Sequence, residues 1–213
     1  RTLVQRGPTG PVKRGTEISV PPETLTKDSP SVRRAINVLA RELRDHHRAT
    51  ADHSHRLARL SREVADEMAL DPMAATEVEI VAVLHDVGKL AVEPSILEHD
   101  GPLDDLQRHV MRRHTIAGEL ILLQVSGLEH LGPLVRATHE WWNGGGYPDG
   151  LAGTDIPLEA RIVGCVDAFD AMISDRAYRK ARSVEEACSG IERDAGRQFD
   201  PLVAAALIEL KCR

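Results

Sequence analysis

The side chains best suited to chemistry in this sequence are the adjacent His85 and Asp86. They follow an apolar stretch, residues 80–84, where an ionised carboxylate costs several kcal/mol unless an opposite charge or a metal ion compensates it. Imidazole and carboxylate together form a ligand set suited to iron, manganese, zinc or nickel. The pair is also compatible with a hydrogen-bonded histidine and an aspartate that caps the turn at Gly88. It therefore indicates a metal site only if further ligands lie elsewhere in the chain.

Further candidate ligands are spread over separate predicted helices. His53 lies on the apolar face of the second predicted helix, and Asp167 directly follows the apolar run 162–166. Helices of a bundle can bring such residues together in the core, as in di-iron proteins. The other six histidines lie in more polar surroundings, so the case for them as ligands is much weaker. We therefore predict a metal centre with the ligands His53, His85, Asp86, His114, His139 and Asp167.

Proline, glycine and capping signals delimit the helices that must position these ligands. Ser29-Pro30 predicts the start of the first helix, and Asp71-Pro72 separates the second from the third. Ser183 to Glu186 has the form of a capping box. The glycine-rich run 143–150 cannot be helical, because consecutive glycines and a proline favour turns. The predicted helices cover 30–46, His53 to Met68, Pro72 to His85, 104–123, 129–139, a stretch from Pro157, one from Ser183 and one from Asp200 to Leu210.

The fold class follows from these patterns. No segment alternates as a strand would and no internal repeat is found, so we predict an all-α domain over residues 31–213. Apolar residues make up 42% of the chain and aromatic residues only 3%, so aliphatic side chains must fill its core. Residues 1–30 are rich in glycine and proline and are predicted to be a linker or arm, or the stub of a sensory domain.

Composition restricts the partners of the protein. The formal net charge of −6 offers no general attraction to a nucleic-acid polymer or an anionic membrane surface, so a phosphate ligand must be held locally. No apolar run reaches the roughly 20 residues that span a bilayer. Three cysteines without a C-x-x-C pair argue against a disulfide framework or a cysteine zinc site. These features predict a cytoplasmic protein.

Several motifs, in this order, resemble the HD-GYP domain family of the HD superfamily of metal-dependent phosphohydrolases. The resemblance covers about residues 50–210 and implies a helical bundle of about seven to nine helices without a significant sheet. The matching motifs are H-S-H-R at 53–56, L-H-D-V-G-K at 84–89, His114 with Gly118, H-E-W-W-N-G-G-G-Y-P-D-G at 139–150, I-P-L-E-A-R-I-V-G-C-V-D-A-F-D-A-M-I-S-D-R-A-Y-R at 156–179 and G-R-Q-F-D-P at 196–201.

The resemblance implies hydrolysis of cyclic di-GMP to pGpG, and in some members onward to GMP, at a centre of two divalent ions, iron or manganese. A hydroxide bridging the two ions would attack phosphorus in line. Asp86 would be shared by both ions and would be catalytic. The implied ligands are His53, His85, Asp86 and Asp167 for one ion, and Asp86, His114 and His139 for the other.

The resemblance also implies residues that contact the substrate. Lys89 would be catalytic and would contact the scissile phosphate, although it could also be only a cation at a helix C-terminus. Arg176 and Arg179 match positions that hold the ligand's phosphates. Gly146 and Tyr147 belong to the GYP loop, where they would contact a base or a GGDEF-domain protein, or form only a stiff turn.

The sequence departs from the family pattern near the second ion. Thr138 stands where the family places a metal-binding histidine, Asn143 replaces an aspartate of the loop, and Ala49 replaces the glutamate that holds a third ion. Two interpretations of different class remain open: a cyclic di-GMP phosphodiesterase, and a regulatory module that binds a cyclic dinucleotide or a GGDEF-type partner. Hydrolysis of another phosphate ester of a nucleotide is a third interpretation, and a homodimer is allowed.

Overall fold

The computed structural model describes residues 29–46, 51–99, 101–175 and 180–212. Within these ranges it contains ten α-helices and no β-strand, which confirms the all-α prediction. Eight of the ten helices have at least eight residues, in agreement with the predicted seven to nine. The helices are α1 (Pro30–His46), α2 (Ala51–Glu67), α3 (Pro72–Leu84), α4 (Pro94–Leu97), α5 (Asp105–Arg112), α6 (His114–Leu122), α7 (Gly132–Arg136), α8 (Leu158–Ile173), α9 (Val184–Asp194) and α10 (Pro201–Lys211).

The capping signals act where the sequence predicts them. The Asp71 carboxylate accepts hydrogen bonds from the Met73 and Ala74 amides, and Pro72 begins α3. Ser183 and Glu186 form the predicted capping box of α9. Asp200 caps α10 by accepting from the Leu202 amide. These short-range bonds satisfy amides that have no partner inside the helix, so the boundaries follow from the local sequence.

Three predicted helices differ from the structure. The third helix ends at Leu84 rather than at His85, and the chain continues as a 3₁₀ turn over Val87–Ala91. The predicted helix 104–123 is divided at Arg113, which separates α5 from α6. In the predicted helix 129–139 only Gly132–Arg136 is α-helical, flanked by 3₁₀ turns. In each case the apolar pattern persists through a change of direction, and periodicity alone does not detect such a break.

The core lies where α2, α3 and α8 pack against one another. It is aliphatic, as the composition predicts, and Phe169 and Phe199 are the aromatic residues buried in it among the described residues. Helix α6 packs against the 3₁₀ turn that follows α3. This arrangement directs the ends of α3 and α6 toward the faces of α2 and α8, and the predicted ligands lie at that meeting point.

Helices α9 and α10 pack together and bring two cysteines within bonding distance. A disulfide joins Cys188 to Cys212, whose Cα atoms are 6.7 Å apart. The sequence-based argument against disulfides is therefore wrong for this pair, because spacing along the chain does not reveal which helices are neighbours. Cys165 is buried with a free thiol. None of the helices in the described ranges combines the length and apolar character needed to cross a membrane.

Candidate metal centre

His85 and Asp86 form the turn between α3 and the following 3₁₀ segment. Both are almost completely buried, at 1% and 5% exposure, so neither side chain is solvated by bulk water. Gly88 makes this turn possible. A Cβ atom at Gly88 would overlap the carbonyl oxygen of His114 and the amide nitrogen of Gly118 in α6. The absence of a side chain at Gly88 therefore lets α6 approach Asp86 closely.

The six predicted ligands come together from five parts of the fold. His53 lies on α2, His114 begins α6, His139 ends a 3₁₀ turn after α7, and Asp167 lies on α8. Their potential donor atoms form two groups, each with all atoms within 4.8 Å of one another. The first group, named group I here, is His53, His85 and Asp167; the second, group II, is Asp86, His114 and His139.

Asp86 lies between the two groups. Its Oδ2 is 3.3 Å from His85 Nε2, and its Oδ1 is 3.4 Å from His114 Nε2. One carboxylate thus presents one oxygen to a histidine of each group, as a bridging ligand would. Lys89 Nζ donates a hydrogen bond to Asp86 Oδ2 at 2.6 Å. Lys89, for which the family resemblance implies contact with the scissile phosphate, is therefore paired with Asp86 in this structure.

The donor atoms of group II show that these residues fit a metal ion. Within the described part of the chain, Nε2 of His114 and Nε2 of His139 are buried and have no hydrogen-bond partner. A buried ring nitrogen without a partner costs free energy, and a metal ion would satisfy it. His114 Nε2 lies 3.4 Å from Asp86 Oδ1, and the His114 and His139 rings are in edge contact at 5.0 Å between centroids.

The electrostatic environments of the two groups differ. Burial disfavours the charged form of His53, but hydrogen bonds to Asp167 and Asp170 outweigh burial and raise its pKa to about 9. Burial also opposes charge on His85, whose pKa is nevertheless raised by Asp86. In group II, burial and then the neighbouring His114 lower the pKa of His139 to about 3. The group I histidines therefore favour a proton before a metal binds, whereas His139 remains neutral.

The carboxylates remain ionised despite their surroundings. Burial alone would raise the pKa of Asp86, yet the neighbouring His85 and Lys89 hold it well below its usual value. Burial has the same effect on Asp167, and the hydrogen bond from His53 and the nearby histidines hold its pKa below the usual range. Two anions, the buried Asp86 and the half-buried Asp167, lie among imidazoles and form a site that attracts divalent cations.

The second ring nitrogen of three histidines is also engaged. His85 Nδ1 lies 2.8 Å from the Ala82 carbonyl oxygen, and His114 Nδ1 lies 2.7 Å from that of Met111. His53 Nδ1 instead lies 2.7 Å from Oδ2 of Asp170, an acid that the sequence analysis did not assign. The signal that could have identified it is its position three residues after Asp167, on the same face of one helix.

The GYP loop packs onto group II. The Tyr147 ring stacks on the His139 ring, with 5.2 Å between centroids and 11° between planes. The Arg112 guanidinium covers Tyr147 at 5.0 Å from the ring centroid. A Cβ atom at Gly146 would overlap the backbone of Glu140 and Trp141, so this glycine is needed for packing whether or not it contacts a ligand. Arg112 is a second residue that the sequence analysis missed.

Three further positions stand out in the sequence, Thr138, Arg176 and Arg179, and the structure describes the first of them. The Thr138 side chain is buried, and its hydroxyl donates to the Val135 carbonyl oxygen at 2.9 Å. It therefore supplies no ligand in place of the histidine that the family pattern places there. Arg176 and Arg179 lie outside the described residues.

Comparison with known proteins gives consistent matches. A family model described as HD domain matches residues 37–203. A cyclic di-GMP phosphodiesterase of Thermotoga maritima is 37% identical over 164 residues, which are 76% of this chain and 45% of that protein. The cyclic di-GMP phosphodiesterase response regulator RpfG of Xanthomonas campestris is 36% identical over 178 residues, covering 83% of this chain and 47% of that protein. The chain thus spans about half the length of these curated relatives.

A solved structure shows the same fold. The HD domain of the phosphodiesterase PgpH from L. monocytogenes, in complex with cyclic di-AMP, matches with a TM-score of 0.61 at 19% sequence identity. The match covers 81% of this chain and 94% of that chain. At this identity the match concerns the arrangement of the helices alone.

Proposed function

The chain belongs to the HD domain family and carries the motifs of its HD-GYP branch, and on this premise we propose that it is a metal-dependent phosphodiesterase that hydrolyses cyclic di-GMP to pGpG. The observation that carries the proposal is the position of Asp86, with one oxygen toward His85 of group I and the other toward His114 of group II. Such a carboxylate can hold two cations side by side.

In this proposal group I holds one divalent ion and group II the other, with iron or manganese as the metal. Two bound ions supply Lewis-acid activation of water and neutralise charge that develops on a phosphate. His53, His85 and His114 hold their donor atoms in fixed directions, because their second ring nitrogens are hydrogen-bonded. Burial of His85 and His114 reduces competition from bulk water at these two ligands.

Other residues of the chain orient the substrate. Lys89 lies at the edge of the site with its ammonium group on Asp86, so it is within reach of a phosphate that approaches Asp86. Tyr147, stacked on His139 and covered by the Arg112 guanidinium, lies beside group II, where these groups would contact a nucleobase. Burial raises the pKa of Tyr147 to about 12, so the phenol stays neutral and can donate a hydrogen bond. Arg112 adds a positive charge above the Tyr147 ring.

The relatives support the class of substrate. Two curated proteins with 36% and 37% identity are named cyclic di-GMP phosphodiesterases. The structurally similar HD domain of PgpH was solved with cyclic di-AMP, a ligand of the same chemical class. We therefore propose a cyclic dinucleotide as the substrate and the cytoplasm as the location of the protein.

A second function is favoured by one specific observation. Thr138 directs its hydroxyl to the backbone, so group II has three protein ligands and lacks the imidazole of the family pattern. A weakly occupied second site would leave a regulatory module that binds the dinucleotide, or that contacts a GGDEF-domain protein through the loop 144–148, without hydrolysing it.

One experiment separates the two functions. The protein is purified anaerobically, its metal content is measured, and it is incubated with cyclic di-GMP and manganese or iron while the products are separated by chromatography. Two ions per chain and formation of pGpG support the phosphodiesterase. Tight binding of the dinucleotide without turnover overturns it in favour of the regulatory module.

Two variants and one control sharpen the result. Asp86→Asn should abolish both metal binding and turnover, whereas Asp200→Asn, a buried acid paired with Arg161 outside both ligand groups, should retain metal. Thr138→His restores the imidazole of the family pattern. If the missing ligand limits the rate, turnover rises in this variant.

A further inference from the structure

We infer that Asp170, held in place by Arg56, is a positioning residue that orients His53 and thereby sets the metal affinity of group I. The inference rests on the proposed metal centre and adds to it two residues that contact no substrate. It concerns one of the two metal sites, not both.

The two ring nitrogens of His53 contact different carboxylates. Nε2 faces the ligand group and lies 3.2 Å from Asp167 Oδ1. Nδ1 lies 2.7 Å from Asp170 Oδ2, on the opposite side of the ring. When Nδ1 donates its proton to Asp170, the lone pair of Nε2 is free for a metal ion. The carboxylate thus selects the tautomer that can act as a ligand.

Asp170 is itself fixed. It is 3% exposed, and both of its oxygens accept from Arg56, at 3.0 Å from Nε and 3.1 Å from Nη2. A two-pronged contact with a planar guanidinium restricts rotation of the carboxylate more than a single bond would. Arg56 also donates to Ser174 at the end of α8, which ties the pair to that helix.

The spacing on two helices explains why these four residues meet. His53 and Arg56 are three residues apart on α2, and Asp167 and Asp170 are three residues apart on α8. Residues at this spacing lie on one face of a helix. Because α2 and α8 pack together, the first members of the two pairs are ligands and the second members meet as an ion pair behind them.

The other histidines with an assigned Nδ1 contact differ from His53. His85 and His114 use backbone carbonyl oxygens, which are neutral. An anionic partner makes an imidazole a stronger ligand than a neutral partner does. Removal of the Asp170 charge should therefore weaken group I selectively and leave group II unchanged.

The test is a titration of metal-depleted protein with Mn²⁺, in which free manganese is followed by electron paramagnetic resonance. Mildly alkaline anaerobic buffer reduces competition from protons. The wild type should show two classes of site, and His53→Ala identifies the class that belongs to group I. Asp170→Asn should weaken that same class about 10- to 100-fold and leave the other class unchanged.

Two further variants guard against a merely structural effect. Arg56→Gln leaves Asp170 in place and alters a side chain that is 47% exposed, so it should fold and weaken the same class by a smaller factor. Asp200→Asn removes a carboxylate that is equally buried and paired with Arg161, and it should change neither class. Urea unfolding of each variant verifies that the folded protein was titrated.

The outcomes are distinct. Weaker binding at the group I class in Asp170→Asn, with a smaller weakening in Arg56→Gln and none in Asp200→Asn, supports the inference. If Asp170→Asn and Arg56→Gln bind manganese as tightly as the wild type does, the inference is overturned while the proposed function stands. A wild type that binds no manganese or iron overturns the proposed function and the inference together.

Discussion

Lys89 makes a contact in the structure that must change if the protein is to work as proposed. Its ammonium group lies 2.6 Å from Asp86 Oδ2, the oxygen that also faces His85. A metal ion on Asp86 would take over part of this interaction. Lys89 would then be left beside the centre with an unneutralised charge, which suits a phosphate.

Lys89→Met should therefore separate binding of the metal from catalysis. We expect kcat for cyclic di-GMP to fall about 100-fold, because a group that stabilises developing charge is lost. Manganese affinity should stay the same or increase, since a competing cation has been removed from Asp86. Lys211→Met is the matched control, because Lys211 pairs with Glu63 outside both ligand groups. An unchanged kcat in Lys89→Met would show that Lys89 serves only to pair Asp86.

Arg112 is positioned to contact a ligand directly. Its side chain is exposed above Tyr147, and in the described ranges it has no ion pair with a carboxylate. Arg112→Ala should weaken binding of cyclic di-GMP about fivefold, corresponding to the roughly 1 kcal/mol of an exposed cation–π or phosphate contact. Isothermal titration calorimetry with the metal-loaded protein measures this change. Arg113→Ala, at the exposed neighbouring position, should bind as the wild type does; equal losses in the two variants would indicate a general charge effect.

At the scale of secondary-structure elements, the contact between the 3₁₀ turn Val87–Ala91 and helix α6 holds Asp86 beside His114. Two glycines face each other across it. The Gly88 position has no room for a Cβ atom, because the backbone of His114 and Gly118 occupies that space. At Gly118 the nearest obstacle is a side chain rather than backbone, since a Cβ atom added there would lie 3.0 Å from Val135 Cγ1.

These two glycines should respond differently to the same substitution. Gly88→Ala should lower the free energy of unfolding by about 3 kcal/mol, because backbone atoms must separate. Gly118→Ala should change it by less than about 1 kcal/mol, since the gain in helix propensity offsets a small shift of Val135. Urea unfolding followed by circular dichroism measures both. Similar losses in the two variants would contradict the close approach of the turn to α6.

For the whole molecule, the buried histidines determine how stability depends on pH in the absence of metal. The pKa of His139 is lowered to about 3. Below pH 6.5 this histidine therefore binds a proton in the unfolded chain but not in the folded chain, so acidification lowers the stability of the fold. The pKa of His53 is raised to about 9, so its stabilising contribution is complete below pH 6.5 and is lost as the pH rises toward 9. The two effects act on opposite sides of pH 6.5.

The metal-free protein should therefore be most stable near pH 6.5. Stability should fall on acidification by at most about 1.4 kcal/mol per pH unit for His139 alone. His139→Gln should flatten this acid limb, whereas His109→Gln, at an exposed histidine, should leave it unchanged. Unfolding in urea with EDTA, repeated across the pH range, provides the measurement. An acid limb that persists undiminished in His139→Gln would assign it to other groups.

The sequence by itself determined much of the fold and the identity of the candidate ligands. Helix starts at Pro30, Pro72, Val184 and Pro201 follow from proline and capping residues, whose hydrogen bonds span only a few positions. The six candidate ligands could be identified because acids and histidines in apolar surroundings require compensation, and because the motifs resemble those of one family. Both signals depend on residues that are close together along the chain, so they can be recognised from the sequence alone.

The family resemblance implies how the ligands are grouped, but only the tertiary structure shows that these residues converge. The packing of α2, α3, α6 and α8 divides the ligands into two groups, places Asp86 between them and pairs Lys89 with Asp86. It also brings Asp170 behind His53 and joins Cys188 to Cys212. Each of these contacts links residues of different elements or depends on a turn between them. The sequence specifies such contacts only through the packing of the whole core, so no short pattern reveals them.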